Sequence, residues 1–132
     1  MKIFLTKDDQ GGLRQRITIA KHTIFADAPK ELGGEESAPD PHDLFDTALA
    51  ACKALTITMY ARHKNWPLEH VDIKIQRDPK EERKGIYHLS VFIELFGKLD
   101  GEQRIQLLAI GDKCPVHKLM TSTEIIINTQ LI

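Results

Sequence analysis

The stretch Asp40-Pro41-His42-Asp43-Leu44-Phe45-Asp46-Thr47-Ala48-Leu49-Ala50-Ala51-Cys52-Lys53-Ala54-Leu55-Thr56-Ile57-Thr58-Met59-Tyr60-Ala61-Arg62-His63 decides the fold. Asp40 suits an N-cap, Pro41 the first helical position, and Asp43 the first turn, where an acid favours the positive end of a helix. A helix is therefore expected to run to about His63, with Asn65-Trp66-Pro67 ending it. Between Leu44 and Ala61 the apolar residues cover nearly the whole circumference, and a helix of that kind needs cover on every side. One sheet shields one face, so the remainder points either to a second subunit or to an internally sandwiched helix.

Outward from this helix the chain is rich in strands. Residues 2–6 and 13–20 alternate loosely around the turn cluster Asp8-Asp9-Gln10-Gly11-Gly12, which predicts a β-hairpin. His22 to Ala26 is a third short strand. A loop rich in Gly, Pro and acid runs from Pro29 to Pro41, and its length points to function. Two long strands are expected over 68–77 and 86–97, divided by a charged turn from Asp78 to Gly85. Asp100-Gly101 opens a second helix to about Asp112, Lys113-Cys114-Pro115-Val116-His117 follows it, and the β-branched run Thr123 to Thr129 predicts a last strand. The 132 residues fit a single domain, with no repeat and no internal boundary.

Composition narrows the function. With 18 basic and 19 acidic residues the net charge is −1, which gives no global field for nucleic acid or acidic membranes. Asp46 and Lys53 interrupt the longest apolar stretch, so no membrane span is expected, and the charged N-terminus does not resemble a secretory signal. The expected compartment is the cytoplasm, where permanent disulfides are uncommon. The two cysteines, Cys52 and Cys114, are then either inert core thiols or a redox pair.

Cys52 falls mid-helix, with Ala48, Leu49, Leu55 and Thr56 as its helical neighbours, too far from the N-terminus for the macrodipole to favour its thiolate. A cation must reach it from elsewhere in the fold. Lys53 points about 100° away around the helix and is a poor candidate. Cys114 is expected just beyond the C-terminus of the second helix, the negative end, which suits a resolving thiol better than a first nucleophile. Cys114-x-x-His117 has ligand-like spacing, to which Cys52 or His42 would add, but a structural zinc site draws on two close pairs and no metal is expected.

The segments Gly33-Gly34, Ala38-Pro39-Asp40-Pro41-His42-Asp43-Leu44, Ala48-Leu49-Ala50-Ala51-Cys52, Pro67-Leu68-Glu69, Gly97-Lys98-Leu99 and Lys113-Cys114-Pro115-Val116-His117 together resemble the OsmC/Ohr family, from about His22 to the C-terminus. The resemblance implies an α+β fold with antiparallel sheets around a long buried central helix, and an intertwined homodimer with active sites at the interface. It implies a thiol peroxidase that reduces organic hydroperoxides in oxidative-stress defence. Cys52 would be oxidised to a sulfenic acid, Cys114 would resolve it, and an external dithiol would restore both, with no cofactor. The family pairs an arginine with a glutamate at the first cysteine. Here the glutamate position holds His42, with Asp43 beside it, and Arg14 and Arg16 are the candidate arginines. A solvated strand face also explains the arginines, and helix capping explains Asp43. A small-molecule-binding or redox-sensing protein with little turnover is the rival reading; a structural dimer with inert thiols is a third.

Overall fold

The computed structural model describes residues 2–132 and is an α+β structure. Two compact units meet within the first helix, one ending at Thr47 and the other running from Ala48 to Ile132.

The first unit is built on a three-stranded antiparallel sheet in the order β1 (Ile3–Lys7), β2 (Gln15–Ile19), β3 (His22–Ala26). Ile17 and Ala26 are buried, and the sheet places Ile17 opposite both Leu5 and Ile24. The long loop that follows is ordered by Asp27. Its carboxylate accepts from the Ala28 amide at 2.7 Å and from the Ser37 hydroxyl and amide at 2.6 and 3.1 Å. These donors hold the carboxyl at about 2. The Gly-Gly pair is a backbone requirement. Gly33 has φ 93°, closing a 3-10 turn over Lys30–Leu32, and a Cβ at Gly34 would lie 1.9 Å from the Ala28 carbonyl oxygen.

Helix α1 spans Pro41–His63, as the sequence predicts. Asp40 caps it reciprocally: the Asp43 amide donates to Asp40 Oδ1 at 2.8 Å, and the Asp40 amide donates to Asp43 Oδ2 at 3.1 Å. Asn65, at φ 55°, ends the helix, with the Trp66 amide bonded to the Ala61 carbonyl. Within one chain the helix is not buried all round. Asp46, Leu49, Lys53, Ile57 and Ala61 form a buried stripe, whereas Phe45, Leu55 and Met59 stay exposed. One chain covers one face, as the count of strands requires.

The second unit contains the antiparallel pair β4 (Leu68–Asp78) and β5 (His88–Gly97). Val71 faces Leu95, Ile73 faces Ile93 and Ile75 faces Val91, so one face of the pair is apolar and half-buried. Helix α2 (Gly101–Gly111) starts at an Asp100–Gln103 capping box. Arg104 donates to the carbonyls of Leu95, Gly97 and Leu99, tying α2 to the end of β5. The core comprises Ile57, Ala61, Leu99 and Leu107, flanked by Tyr60, Trp66, Leu68, Val71, Ile93 and Leu95. Ile57 and Leu107 are wholly enclosed, each stabilising the unit by about 1.5–3 kcal/mol.

Two expectations are corrected. Cys114 does not merely trail α2; it is the N-cap of a further helix, α3 (Pro115–Ser122), with Pro115 at the first helical position. The last strand does not form: residues 123–132 carry neither helix nor strand. A β-branched run favours extended backbone but needs a free edge in register before it becomes a strand. Among the described residues no helix is long and apolar enough to cross a membrane.

Candidate active site

The second unit brings the two cysteines together. Both are free thiols, Cys114 fully buried and Cys52 half-buried on α1. Cys52 lies close enough to Cys114 to act on its ionisation. Cys114 Sγ accepts from the His117 amide at 3.3 Å, the bond an N-cap side chain makes to the first turn of its helix.

Burial pushes the Cys114 thiol up, and the hydrogen bond and charge of Cys52 raise it further, while the His117 amide and Lys53 pull the other way. Cys114 is therefore a reluctant thiol. The expected helix C-terminus is not the cause, because its sulfur faces the N-terminal end of α3.

Lys53 is the residue that sequence reasoning set aside. It is 2% exposed, and its Nζ bonds the Gly111 carbonyl at 2.9 Å, His117 Nδ1 at 3.0 Å and Asp112 Oδ1 at 3.2 Å. An ammonium has donors and no acceptor, so His117 accepts at Nδ1 and carries its ring proton on Nε2. Close packing makes this reach possible: a Cβ on Gly111 would sit 3.1 Å from Ile57 Cδ1. The sequence signal was spacing, because Lys53 lies four residues from both Leu49 and Ile57 on the buried stripe.

In the first unit Arg14 and Arg16 converge on Asp8, a second residue the sequence reading missed. Arg14 Nε donates to Oδ2 at 2.8 Å, with its Nη2 on the same oxygen; Arg16 Nη2 and Nε donate to Oδ1 at 2.9 and 3.2 Å. Asp8 is 1% exposed, and the two guanidiniums hold its carboxyl at about 2. Both guanidiniums also lie over the Phe25 ring. The arginines are thus organised around an acid, with the Arg16 side chain still exposed to solvent. Asp43 is engaged in capping α1.

His117 is held by Lys53, and among the described residues no group of three His, Cys, Asp or Glu is placed to hold a metal ion. Open clefts of about 630 Å³ along β4 and β5 and about 370 Å³ between β5 and α2 border neither cysteine.

The family model described as OsmC-like protein matches residues 33–130. No curated protein sequence matches the chain. Among solved structures, the chain is similar to a Psychrobacter arcticus 273-4 protein named for an osmotic stress induced and detoxification response, at 22% identity and TM-score 0.75, covering 92% of this chain and 89% of that one. An OsmC-like protein from Mycoplasma pneumoniae gives 15% identity and TM-score 0.72, covering 92% and 86%. The organic hydroperoxide resistance protein OhrB of Bacillus subtilis gives 21% identity and TM-score 0.58, covering 92% of both. At these identities the likeness establishes the fold. The family model, which spans both cysteines and most of the sequence, establishes the rest: the chain belongs to the OsmC-like family.

Proposed function

We propose that this protein is a cysteine-based peroxidase that reduces organic hydroperoxides, acting in the cytoplasm as a homodimer supported by an external dithiol. The observation that carries the reading is the pair of free, neighbouring thiols, one half-exposed and one sealed. The name of the Bacillus subtilis relative points to the same substrate class.

The Cys52 thiolate attacks one oxygen of the hydroperoxide and the O–O bond breaks. The alkoxide leaves, takes a proton and becomes the alcohol; Cys52 becomes a sulfenic acid, oxidised by two electrons. Cys114 then attacks the Cys52 sulfur, a disulfide forms, and the S–O bond breaks with release of water. The external dithiol reduces the disulfide through a mixed disulfide and is itself oxidised. The raised Cys114 thiol supports this order, because a thiol that stays protonated is a poor first nucleophile. Asp43 stays at the helix N-terminus.

The exposed apolar face of α1, with Phe45, Leu55 and Met59, and the exposed Ile125, Ile126 and Ile127 support the homodimer. Sedimentation should give a dimer for the wild type and a monomer for Leu55→Glu.

Dithiol-supported consumption of cumene hydroperoxide tests the activity. Wild type should turn over, and Cys52→Ser should abolish consumption. Equal rates in the two proteins would remove Cys52 from the chemistry, and no consumption by wild type would favour the binding or sensing reading.

A further inference from the structure

Burying an ammonium is costly unless its protons all find acceptors. Lys53 finds three, and they lie on the last residue of α2, in the following turn and in the first turn of α3. That short segment contains Cys114. One turn away on either side, Leu49 and Ile57 fill the same buried stripe without a charge. Packing of α1 therefore does not demand a cation at this position.

We propose that Lys53 is a positioning residue of the thiol pair: its ammonium clamps the α2–α3 junction to α1 and so holds Cys114 beside Cys52 for the resolving step. The inference rests on the peroxidase reading and adds a residue to it. The groups that act on Cys114 are Cys52 and Lys53 from α1 and the His117 amide from α3, while Asp112 in the turn bonds Lys53. Asp112 has a side chain 70% exposed, so solvent screens it more than it screens Lys53.

The arrangement also orders the two steps. While Cys52 carries negative charge, that charge opposes ionisation of Cys114. Conversion of Cys52 to a neutral sulfenic acid removes the opposition and leaves the attraction of Lys53 and of the His117 amide. Cys114 then gives up its proton and attacks the Cys52 sulfur. The S–S bond forms, the S–O bond breaks, and the departing hydroxide combines with that proton as water. The oxidant is the hydroperoxide already consumed in the first step.

Two readouts test this. In a Cys52→Ser background, the pH profile of Cys114 alkylation by iodoacetamide needs no peroxide. Lys53→Gln, which keeps a donor but not the charge, and Lys53→Met should each raise its midpoint by about one pH unit or more. Lys53→Arg should restore most of the wild-type profile. Asp112→Asn, altered at an exposed side chain, should lower the midpoint slightly, and it decides the matter if the buried variants do not fold. With both cysteines present, Lys53→Gln should form sulfenic acid from hydroperoxide at the wild-type rate. Its disulfide should close about tenfold more slowly, with the sulfenic acid captured by a 1,3-dione. An unmoved alkylation midpoint in the Gln and Asn variants, or wild-type disulfide closure in Lys53→Gln, would overturn the proposal. Absence of a disulfide in the wild type together with absence of sulfenic acid in Cys114→Ser would overturn the peroxidase reading instead, and the alkylation profile would still decide the role of Lys53.

Discussion

The turn that joins β1 to β2 and the junction that joins α2 to α3 each enclose one charged side chain. In the first, Asp8 is surrounded by two guanidiniums, and the positive groups are drawn toward one acid. In the second, Lys53 is surrounded by a carbonyl, an imidazole nitrogen and a carboxylate, beside a buried thiol. Asp8 has cations on both carboxylate oxygens, so its charge is compensated where it stands. Lys53 has one anionic partner, and that partner faces solvent, so its field still reaches Cys114. Equal burial thus gives different chemistry, according to how fully the partners neutralise the charge.

The apolar core of the second unit is the costliest place to disturb. Leu107→Ala should destabilise it by about 2–5 kcal/mol in denaturant unfolding, because Leu107 is fully enclosed. Lys53→Met should cost less, about 1–3 kcal/mol, since it strips donors from the Gly111 carbonyl and His117 Nδ1 but leaves the packing stripe apolar. A larger loss for Lys53→Met than for Leu107→Ala would mean that the clamp, rather than the core, holds this unit together.

Acid acts on the first unit. Asp8 and Asp27 have carboxyls lowered from 3.8 to about 2. Because the folded state lowers them, the stability they lend is complete above about pH 4 and is lost as pH falls toward 2. Hydrogen exchange of the β1–β3 amides should accelerate across that window. In Asp8→Asn the same amides should exchange faster already at neutral pH, and the acid dependence should shrink to the share of Asp27. Asp40→Ala should have the smallest effect, a loss of about 1 kcal/mol read from the thermal midpoint, since Asp40 contributes one cap bond to a long helix.

Much of this was legible in residue order. Asp40-Pro41 and Asn65-Trp66-Pro67 marked both ends of α1, and the charged turn from Asp78 to Gly85 marked the division between β4 and β5, because caps and turns act locally. The family resemblance, carried by the two cysteine motifs, also held. Cys114-Pro115 carried the same cap-then-proline pattern as Asp40-Pro41, yet α3 was passed over because the segment was read as the tail of α2. The run after Thr123 has strand propensity, but pairing depends on an edge that local sequence does not specify. Lys53 and Asp8 were hidden for a different reason. Their partners lie on separate elements or across a turn, and a buried charge is recognisable from sequence by its odd placement, not by what will satisfy it.

The most direct test of the account is intact mass with a free-thiol count after one equivalent of an organic hydroperoxide, on the wild type and on Cys114→Ser. The account predicts that the wild type loses two hydrogens and both thiols, whereas Cys114→Ser gains one oxygen as a sulfenic acid that a 1,3-dione traps. Unreacted thiols in both proteins would contradict it, and would leave the Cys52–Cys114 pair as a structural contact.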